Sequence, residues 1–270
     1  MNLVVITGAS RSGTTFMGGL LDRAANVTSR HEFLTSPEFC YVSYYNPHHL
    51  SLRRDVEQLL VEAQRLAAKS DLFVDVNNNF AFGLEALRLA KPGAKIFHLV
   101  RDGRAVIASN WVRKMYTPYA KGIELLPNSE EELAAWPGYD RFQRLAWQWN
   151  HIVTHLRAAG LPIVKLERAL ADYDYLKAQL LEPAGIALSR AQWEEGRKEK
   201  ANGSRFKIGD LLRGRPLKLE WTAERRRQFD EICGANMRAL GYGDGEPAPD
   251  SKRDVRHAAM PQPLGAERAL

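Results

Sequence analysis

The sequence has few of the features that mark secreted, membrane-spanning or metal-binding proteins. Only two of its 270 residues, Cys40 and Cys233, are cysteines, and they form no CxxC pair. Such thiols indicate neither a disulfide framework nor a zinc site, and no metal is expected. No apolar run approaches the roughly 20 residues that a membrane-spanning helix needs, and residues 1–6 are too short for a signal peptide. A cytoplasmic protein without a membrane span is therefore predicted.

The chain also lacks a strong charge of either sign. Its 38 Lys and Arg residues and 32 Asp and Glu residues give a formal net charge of +6. This small excess suits an anionic ligand, although a slightly basic solvated surface would give the same value. No basic stripe with interleaved aromatic residues is present, so a nucleic-acid partner is not expected.

The pattern of apolar segments predicts alternating strands and helices. Short apolar or β-branched runs at residues 3–7, 27–31, 72–76, 95–100 and 163–166 predict five strands. Helices are expected at residues 14–23, 51–69, 82–89, 101–114 and 141–159, and over much of 172–200 and 222–240. The prediction is an α/β, three-layer, P-loop NTPase-like fold, with a central parallel sheet of about five strands flanked by helices.

Residues 1–243 are expected to form one domain, because no Pro-, Gly- or Ser-rich linker interrupts them. Residues 33–50 are aromatic and are expected to be irregular. Residues 115–140 contain three prolines and three consecutive glutamates, which predict a mobile excursion or lid. Residues 244–270 hold four of the 13 prolines and little apolar periodicity, so a flexible C-terminal tail is predicted.

A glycine-containing loop joins the first strand to the first helix. Its sequence is Gly8-Ala9-Ser10-Arg11-Ser12-Gly13-Thr14-Thr15. Backbone N–H groups at the start of a helix, with the positive end of the helix dipole behind them, bind anions. The loop is close to GxxxxGK[ST], but Thr14 stands in place of the lysine and Arg11 supplies the cation. Without that lysine the loop is poorly suited to the β- and γ-phosphates of a nucleoside triphosphate.

The RSGTT sequence of this loop resembles the 5′-phosphosulfate loop of sulfotransferases that use 3′-phosphoadenosine-5′-phosphosulfate (PAPS), in which [KR]SGTT follows the first strand. The resemblance implies that Arg11, Ser12, Gly13, Thr14 and Thr15 hold the 5′-phosphate. It also implies that Arg11 offsets the charge that develops on the bridging oxygen as the bond to sulfur breaks. A glycine turn without a ligand is the plainer alternative.

A second match follows the fourth predicted strand. Arg101 comes directly after that strand, and Ser109 lies eight residues later on the next helix. The pair resembles the 3′-phosphate motif of the same family, in which a guanidinium fork and a hydroxyl bind the phosphate. Asp102 and Arg104 are expected to form a local turn and a salt bridge, and His98 to be a core histidine with satisfied hydrogen bonds.

The resemblance covers about residues 1–243 and is closer to the tyrosylprotein, Golgi and bacterial members than to the cytosolic phenol type. Glu167 matches the glutamate of a Tyr-Glu-Asp-Leu sequence in the family. Cytosolic members carry an Arg-Lys-Gly segment where this chain has residues 202–210. Arg205 and Lys207 are therefore candidate nucleotide ligands, and a solvated basic loop is the alternative.

Sulfuryl transfer needs a base beside the phosphosulfate loop. Glu32 ends the second predicted strand, and tyrosylprotein and related Golgi sulfotransferases use a glutamate in a comparable position. Glu32 is therefore the first candidate for the base and His31 the second; a surface carboxylate and a surface imidazole are the alternatives. Many members carry a lysine after the third strand, where residues 75–79 here read Asp-Val-Asn-Asn-Asn. Arg11 or His31 would have to take over the role of that lysine.

The resemblance implies PAPS as co-substrate, adenosine 3′,5′-bisphosphate as product, no required metal, and a small-molecule, glycan or lipid acceptor with a hydroxyl or amine. Candidate residues for the acceptor wall, or for simple core packing, are Phe39, Tyr41, Tyr44, Tyr45, His48 and His49. Two rival functions stay open. One is a P-loop kinase or NTPase, in which Asp75 at the end of the third strand would hold Mg²⁺. The other is a non-catalytic nucleotide-binding module.

Overall fold

The computed structural model describes residues 1–120, 122–198 and 219–243. Arg205, Lys207 and the expected C-terminal tail lie outside the described residues. Where the chain is described, its five predicted strands and most of its predicted helices are present, with bounds that differ by a few residues.

The strands form one parallel sheet. They are β1 (Asn2–Thr7), β2 (Val27–His31), β3 (Leu72–Val76), β4 (Lys95–Val100) and β5 (Ile163–Lys165). Their order across the sheet is β2-β3-β1-β4-β5, and every neighbouring pair is parallel. The central strand β1 is buried at every residue except its first, as expected for a sheet covered on both faces.

Helices follow each strand. The α-helices are α1 (Thr14–Leu21), α2 (Pro37–Tyr45), α3 (Leu50–Leu66), α4 (Leu84–Ala90), α5 (Gly103–Val112), α6 (Glu130–Ala135), α7 (Arg141–Ala158), α8 (Leu166–Ala171), α9 (Tyr173–Leu176), α10 (Glu182–Ala184), α11 (Arg190–Gly196) and α12 (Ala223–Ala239). Short 3₁₀ helices cover Asn78–Ala81 and Trp136–Gly138, and a π-helical turn covers Lys177–Leu181.

The two faces of the sheet bury separate apolar cores. Because successive strand residues point to opposite faces, Leu3 and Val5 of β1 belong to one core, and Val4 and Ile6 to the other. Helices α2, α3, α4, α5, α7 and α12 contribute to the first core, and α1, α8, α9 and α11 to the second. This arrangement confirms the predicted three-layer α/β fold.

The strand order creates a crevice at one edge of the sheet. Since β1 lies between β3 and β4, the chain turns to one side of β1 for β2 and β3 and to the other side for β4 and β5. In open α/β sheets, ligands bind outside the carboxyl ends of the strands at such a switch point. The loops that follow β1 and β4 therefore share the position where a ligand is expected.

The prediction of an irregular segment at residues 33–50 is wrong, because α2 occupies its centre. Ser36 caps this helix by accepting a hydrogen bond from the backbone N–H of Phe39 (3.3 Å), and Pro37 stands at the first helical position. Serine as N-cap followed by proline is a helix-start signal. The aromatic composition of the segment hid that signal in the sequence.

Residues 115–140, predicted to be a mobile excursion or lid, have packed contacts in their described part. Met115 and Leu125 are buried, and the Gln148 side chain on α7 accepts from the Leu125 N–H (2.9 Å) and donates to the Ile123 carbonyl (3.0 Å). Residues 130–135 form α6, in which no residue is buried. The described part of the segment is therefore anchored at its middle.

His98 lies in the core as expected, but its hydrogen bonds are not satisfied. Within the described ranges neither ring nitrogen has a partner, and the hydroxyl of Thr7, its register neighbour on β1, is likewise buried without one. Burial, with a smaller contribution from the positive charge of Arg157, lowers the pKa of His98 to about 4. The imidazole is therefore neutral at pH 7.

Candidate functional site

The loop after β1 has the backbone geometry of an anion site. Gly8 approaches β4 so closely that a Cβ there would lie 2.2 Å from the carbonyl oxygen of Leu99. Gly13 has φ +91° and directly precedes α1, and in the described structure no side chain caps that helix. Backbone N–H groups in its first turn are thus left for an anion, in the field of the helix dipole. Ser12 and Thr14 are buried and Thr15 is exposed at the start of α1.

The two motifs found in the sequence meet in space. Nε of Arg11 donates to Oγ of Ser109 (2.9 Å), and Nη1 of Arg101 donates to the backbone oxygen of Arg11 (3.2 Å). The first contact joins residues that are 98 positions apart in the sequence, and the second joins residues that are 90 positions apart. The loop after β1 and the segment after β4 therefore line one continuous crevice at the switch point of the sheet.

Positive charge is concentrated in this crevice. The pKa of Arg11 is lowered first by burial and then by the charges of Arg113 and Arg101. Arg113 was missed by the sequence analysis, although it lies one helical turn after Ser109, immediately after α5. The i, i+4 spacing from Ser109 was the signal that could have found it. Cations held this close together are favourable surroundings for a multiply charged anion.

The turn that carries Arg101 is braced by neighbouring carboxylates. Asp102 accepts from the N–H of Arg104 (2.8 Å) and from its Nη2 (2.7 Å), which confirms the expected turn and salt bridge. Glu167 accepts from the N–H of Asp102 (2.9 Å) and from the hydroxyl of Tyr242 (2.9 Å). Because Arg104 neutralises Asp102, that carboxylate does not cancel the charge of the neighbouring Arg101.

A second cluster lies on the other side of the loop, at the end of β2. Nε2 of His31 is 3.1 Å from Oγ1 of Thr14, 3.2 Å from Oγ1 of Thr15 and 4.0 Å from Oε1 of Glu32. The side chains of His31 and Glu32 are 32% and 37% exposed, so a small molecule can reach both. Both candidate bases therefore stand directly beside the loop.

Of the three asparagines after β3, Asn78 reaches this cluster. Its Nδ2 donates to Oγ1 of Thr14 (3.2 Å) and to Oε1 of Glu32 (3.3 Å). Asn77 and Asn79 are buried, and Asn77 bonds to Thr35 and to the backbone of Asn79. The sequence placed all three asparagines at this edge but gave no means of choosing among them.

Asp75, the aspartate in β3, is enclosed. It is fully buried, and its oxygens accept from the N–H of Phe33 (3.0 Å), the N–H of Leu34 (2.9 Å) and Nδ2 of Asn77 (2.8 Å). Burial raises the pKa of Asp75, and these hydrogen bonds oppose the rise. Its carboxylate thus faces backbone amides of the residues after Glu32 and not the crevice.

The aromatic residues after Glu32 mainly pack the protein. Phe39 and Tyr44 are buried against Phe80 and Phe82, with ring centroids 5.4 Å and 4.7 Å apart. The hydroxyls of Tyr41 and Tyr45 accept from the N–H groups of residues 124 and 126 (3.2 and 3.0 Å). Nδ1 of His48 lies 3.6 Å from Oε2 of Glu85, and the side chain of His49 caps α3. Core packing and support of residues 115–140 account for these side chains better than an acceptor wall.

Neither a metal-binding cluster nor a membrane-spanning helix is found among the described residues. They contain no group of three or more His, Cys, Asp or Glu side chains arranged to hold a metal ion. Their helices include none that is both long and apolar enough to cross a membrane.

Comparison with known proteins gives similarity in structure alone. No protein-family model matches the sequence, and no curated protein matches it. The sulfotransferase domain from the curacin biosynthetic pathway is similar with a TM-score of 0.54 and 13% identity, over 90% of this chain and 98% of that domain. The sulfotransferase domain from the Synechococcus PCC 7002 olefin synthase is similar with a TM-score of 0.50 and 14% identity, over 87% of this chain and 94% of that domain. The resemblance predicted from the two motifs is thus confirmed for the architecture, and this chain has the sulfotransferase fold.

Proposed function

We propose that this protein is a PAPS-dependent sulfotransferase that transfers a sulfuryl group to a hydroxyl or amine of a small-molecule, glycan or lipid acceptor. The observation that carries the proposal is the contact of Arg11 with both Ser109 and Arg101 at the switch point of the sheet. Two motifs that each suit a phosphate thereby form one crevice in a chain with the sulfotransferase fold.

The residues of this crevice fit a doubly phosphorylated nucleotide. The backbone N–H groups of residues 11–15, at the uncapped start of α1, suit the 5′-phosphate. Arg101 and Ser109, on the β4 side, suit the 3′-phosphate through a guanidinium fork and a hydroxyl. Arg11 lies between the two groups, since its backbone belongs to the loop and its side chain bonds to Ser109. Arg205 and Lys207 stay candidate nucleotide ligands.

PAPS supplies the activated sulfuryl group. The acceptor oxygen or nitrogen forms a bond to sulfur while the bond from sulfur to the bridging phosphate oxygen breaks. The electron pair of the broken bond leaves on the 5′-phosphate of adenosine 3′,5′-bisphosphate, where Arg11 and the loop amides stabilise the charge. The proton of the acceptor goes to Glu32, and no metal is needed to balance the step.

Glu32 is preferred to His31 as the base because of their different surroundings. The Glu32 carboxylate receives a hydrogen bond from Asn78 and is more than a third exposed, so an acceptor hydroxyl can reach it. Nε2 of His31 faces the hydroxyls of Thr14 and Thr15 on the phosphate loop. We assign His31 to orienting the loop hydroxyls or the sulfuryl oxygens, and it stays the second candidate for the base.

Asp75 weighs against the P-loop kinase or NTPase. Such an enzyme needs an accessible carboxylate for Mg²⁺ after the third strand and a lysine in the loop. Here both oxygens of Asp75 accept hydrogen bonds from buried donors, and Thr14 stands where the lysine would be.

The rival non-catalytic module gives no role to an accessible carboxylate beside the phosphate loop. The cytoplasmic location stays a prediction.

Two measurements test the proposal. In a thermal shift assay, adenosine 3′,5′-bisphosphate is expected to raise the melting temperature and ATP with Mg²⁺ to leave it nearly unchanged, because only a bound ligand stabilises the fold. Transfer of radiolabelled sulfate from PAPS to a panel of phenols, glycans and lipids then tests catalysis. Stabilisation by ATP with Mg²⁺ alone would favour the kinase, and bisphosphate binding without transfer or PAPS cleavage would favour the non-catalytic module.

A further inference from the structure

Glu32 adopts a backbone conformation that non-glycine residues rarely adopt. Its φ is +53°, in the left-handed region. For a residue with a Cβ this conformation costs about 1 kcal/mol or more, so the surrounding structure must enforce it. The enforcing contacts can be identified from the hydrogen bonds on either side of the residue.

The N–H of Glu32 continues the hydrogen-bond ladder between β2 and β3 by donating to the carbonyl of Val76 (3.1 Å). The next two N–H groups, of Phe33 and Leu34, leave that ladder and donate one to each oxygen of Asp75 (3.0 and 2.9 Å). The chain therefore turns sharply at Glu32, between a strand partner on one side and a buried carboxylate on the other.

The third hydrogen bond to Asp75 also comes from an N–H group, since Nδ2 of Asn77 donates to Oδ2 of Asp75 (2.8 Å). A carboxylate is the group that accepts from three N–H groups without presenting a donor of its own. An asparagine at position 75 would direct its NH₂ at one of these N–H groups. A buried charge is costly even with such partners, so its presence here calls for a reason beyond packing.

We propose that Asp75 is the positioning residue for Glu32: by binding the amides of Phe33 and Leu34, it holds the strained turn that sets the Glu32 carboxylate beside Asn78 and the phosphate loop. The role rests on the proposed function, in which Glu32 takes the acceptor proton. Asp75 and Asn78, three residues apart at the end of β3, then act on the backbone and on the side chain of the same base.

The first arm of the test measures amide exchange by NMR and needs no substrate. In the native protein the amides of Phe33 and Leu34 are expected to be protected. In Asp75→Asn their exchange is expected to rise at least about tenfold, while amides of β1 and β4 stay protected. Val153→Ala, which removes buried apolar volume in α7 but none of the hydrogen bonds to Asp75, serves as the matched control for general destabilisation.

The second arm separates positioning from simple structural support by a double-mutant cycle. Release of adenosine 3′,5′-bisphosphate from PAPS is measured, with water as acceptor where no other is known. Asp75→Asn is expected to lower turnover about 10- to 100-fold, with little change in the KM for PAPS, because the base is misplaced. In a Glu32→Gln background the same substitution is expected to have almost no further effect. Asn77→Ala removes one of the three bonds to Asp75, together with the bonds of Asn77 to Thr35 and Asn79, and provides a second variant for the same cycle, should Asp75→Asn not fold.

Equal loss of turnover in both backgrounds, or unchanged exchange at Phe33 and Leu34 together with full activity, would overturn the proposal. Failure of the proposed function has a different signature. In that case the wild-type protein neither binds adenosine 3′,5′-bisphosphate nor releases it from PAPS, and the role of Asp75 as a positioning residue for a base falls with it. Exchange at Phe33 and Leu34 would then report only on the turn itself.

Discussion

At the scale of single residues, backbone strain coincides with the candidate chemistry. Two of the four non-glycine residues with positive φ in the described chain, Arg11 (φ +70°) and Glu32 (φ +53°), belong to the candidate site. Strain of this kind persists where neighbouring contacts enforce it, and it is common at functional sites. Both residues are held by long-range hydrogen bonds, Arg11 by Arg101 and Ser109, and the turn at Glu32 by Asp75.

The strain at Glu32 predicts a difference between two substitutions that both remove the carboxylate. Glu32→Gly relieves the left-handed conformation and Glu32→Ala does not, so the glycine variant is expected to unfold with a free energy about 1 kcal/mol higher than the alanine variant. Both are expected to bind adenosine 3′,5′-bisphosphate and to lose turnover. Urea denaturation of the pair makes the comparison, and an alanine variant as stable as the glycine variant would contradict the strain.

The buried imidazole of His98 predicts a dependence of stability on pH. Its pKa is about 4 in the folded protein, against about 6.5 in an unfolded chain. Between these values the unfolded state binds more protons, so the free energy of unfolding falls as the pH is lowered from 6.5 to 4, by about 3 kcal/mol from this residue. His98→Gln is expected to reduce that fall, measured by denaturation at several pH values. A pH dependence identical to that of the wild type would be inconsistent with a neutral buried His98.

At the scale of secondary-structure elements, α5 and the residue that follows it bring a hydroxyl and a positive charge to one side of the crevice. Ser109 bonds to Arg11, and Arg113, one turn further along, adds a charge that acts on Arg11. Arg113 is exposed, so its electrostatic contribution is modest and is screened by salt. The spacing of Ser109 and Arg113 therefore places a hydroxyl and a positive charge on the same side of the crevice.

The position of Arg113 predicts a salt-dependent effect on nucleotide affinity. Arg113→Ala is expected to weaken binding of adenosine 3′,5′-bisphosphate about two- to fivefold at low ionic strength and to have almost no effect at 0.5 M salt. Arg227→Ala, which removes an exposed arginine paired with Glu224 on α12, is the matched control. A loss that persists at high salt would instead indicate a direct hydrogen bond from Arg113 to the nucleotide.

A strand or helix could be predicted from the sequence where its apolar residues followed a clear pattern. The strands were predictable because β1, β3 and β4 are apolar runs buried on both faces of the sheet. Helix α2 was not, because it is a nine-residue helix with little apolar periodicity that is defined mainly by the Ser36 cap. The asparagines after β3 were placed at the correct edge, but only tertiary contacts distinguish Asn78 from its neighbours.

At the scale of the whole molecule, the strand order brings the site together from distant parts of the chain. Four segments lie at the same edge of the parallel sheet. They are the loop after β1, the turn after β2, the residues after β3 and the segment after β4. The sequence could predict that edge, because the carboxyl ends of parallel strands lie together. It could not predict the contact of Arg11 with Ser109, which depends on the path of two loops and on the rotation of α5.

The central claim is that one nucleotide spans both motifs, and calorimetric titration with two ligands tests it most directly. Adenosine 3′,5′-bisphosphate carries both phosphates, and 5′-AMP lacks the 3′-phosphate. Removing Arg101 is expected to cost the charge-assisted hydrogen bonds to the 3′-phosphate, worth about 1.5–3 kcal/mol. The account predicts that Arg101→Ala weakens bisphosphate binding at least about tenfold and 5′-AMP binding much less, whereas Arg11→Ala weakens both and Arg227→Ala neither. Equal losses for the two ligands in Arg101→Ala, or no binding of the bisphosphate by the wild type, would contradict it.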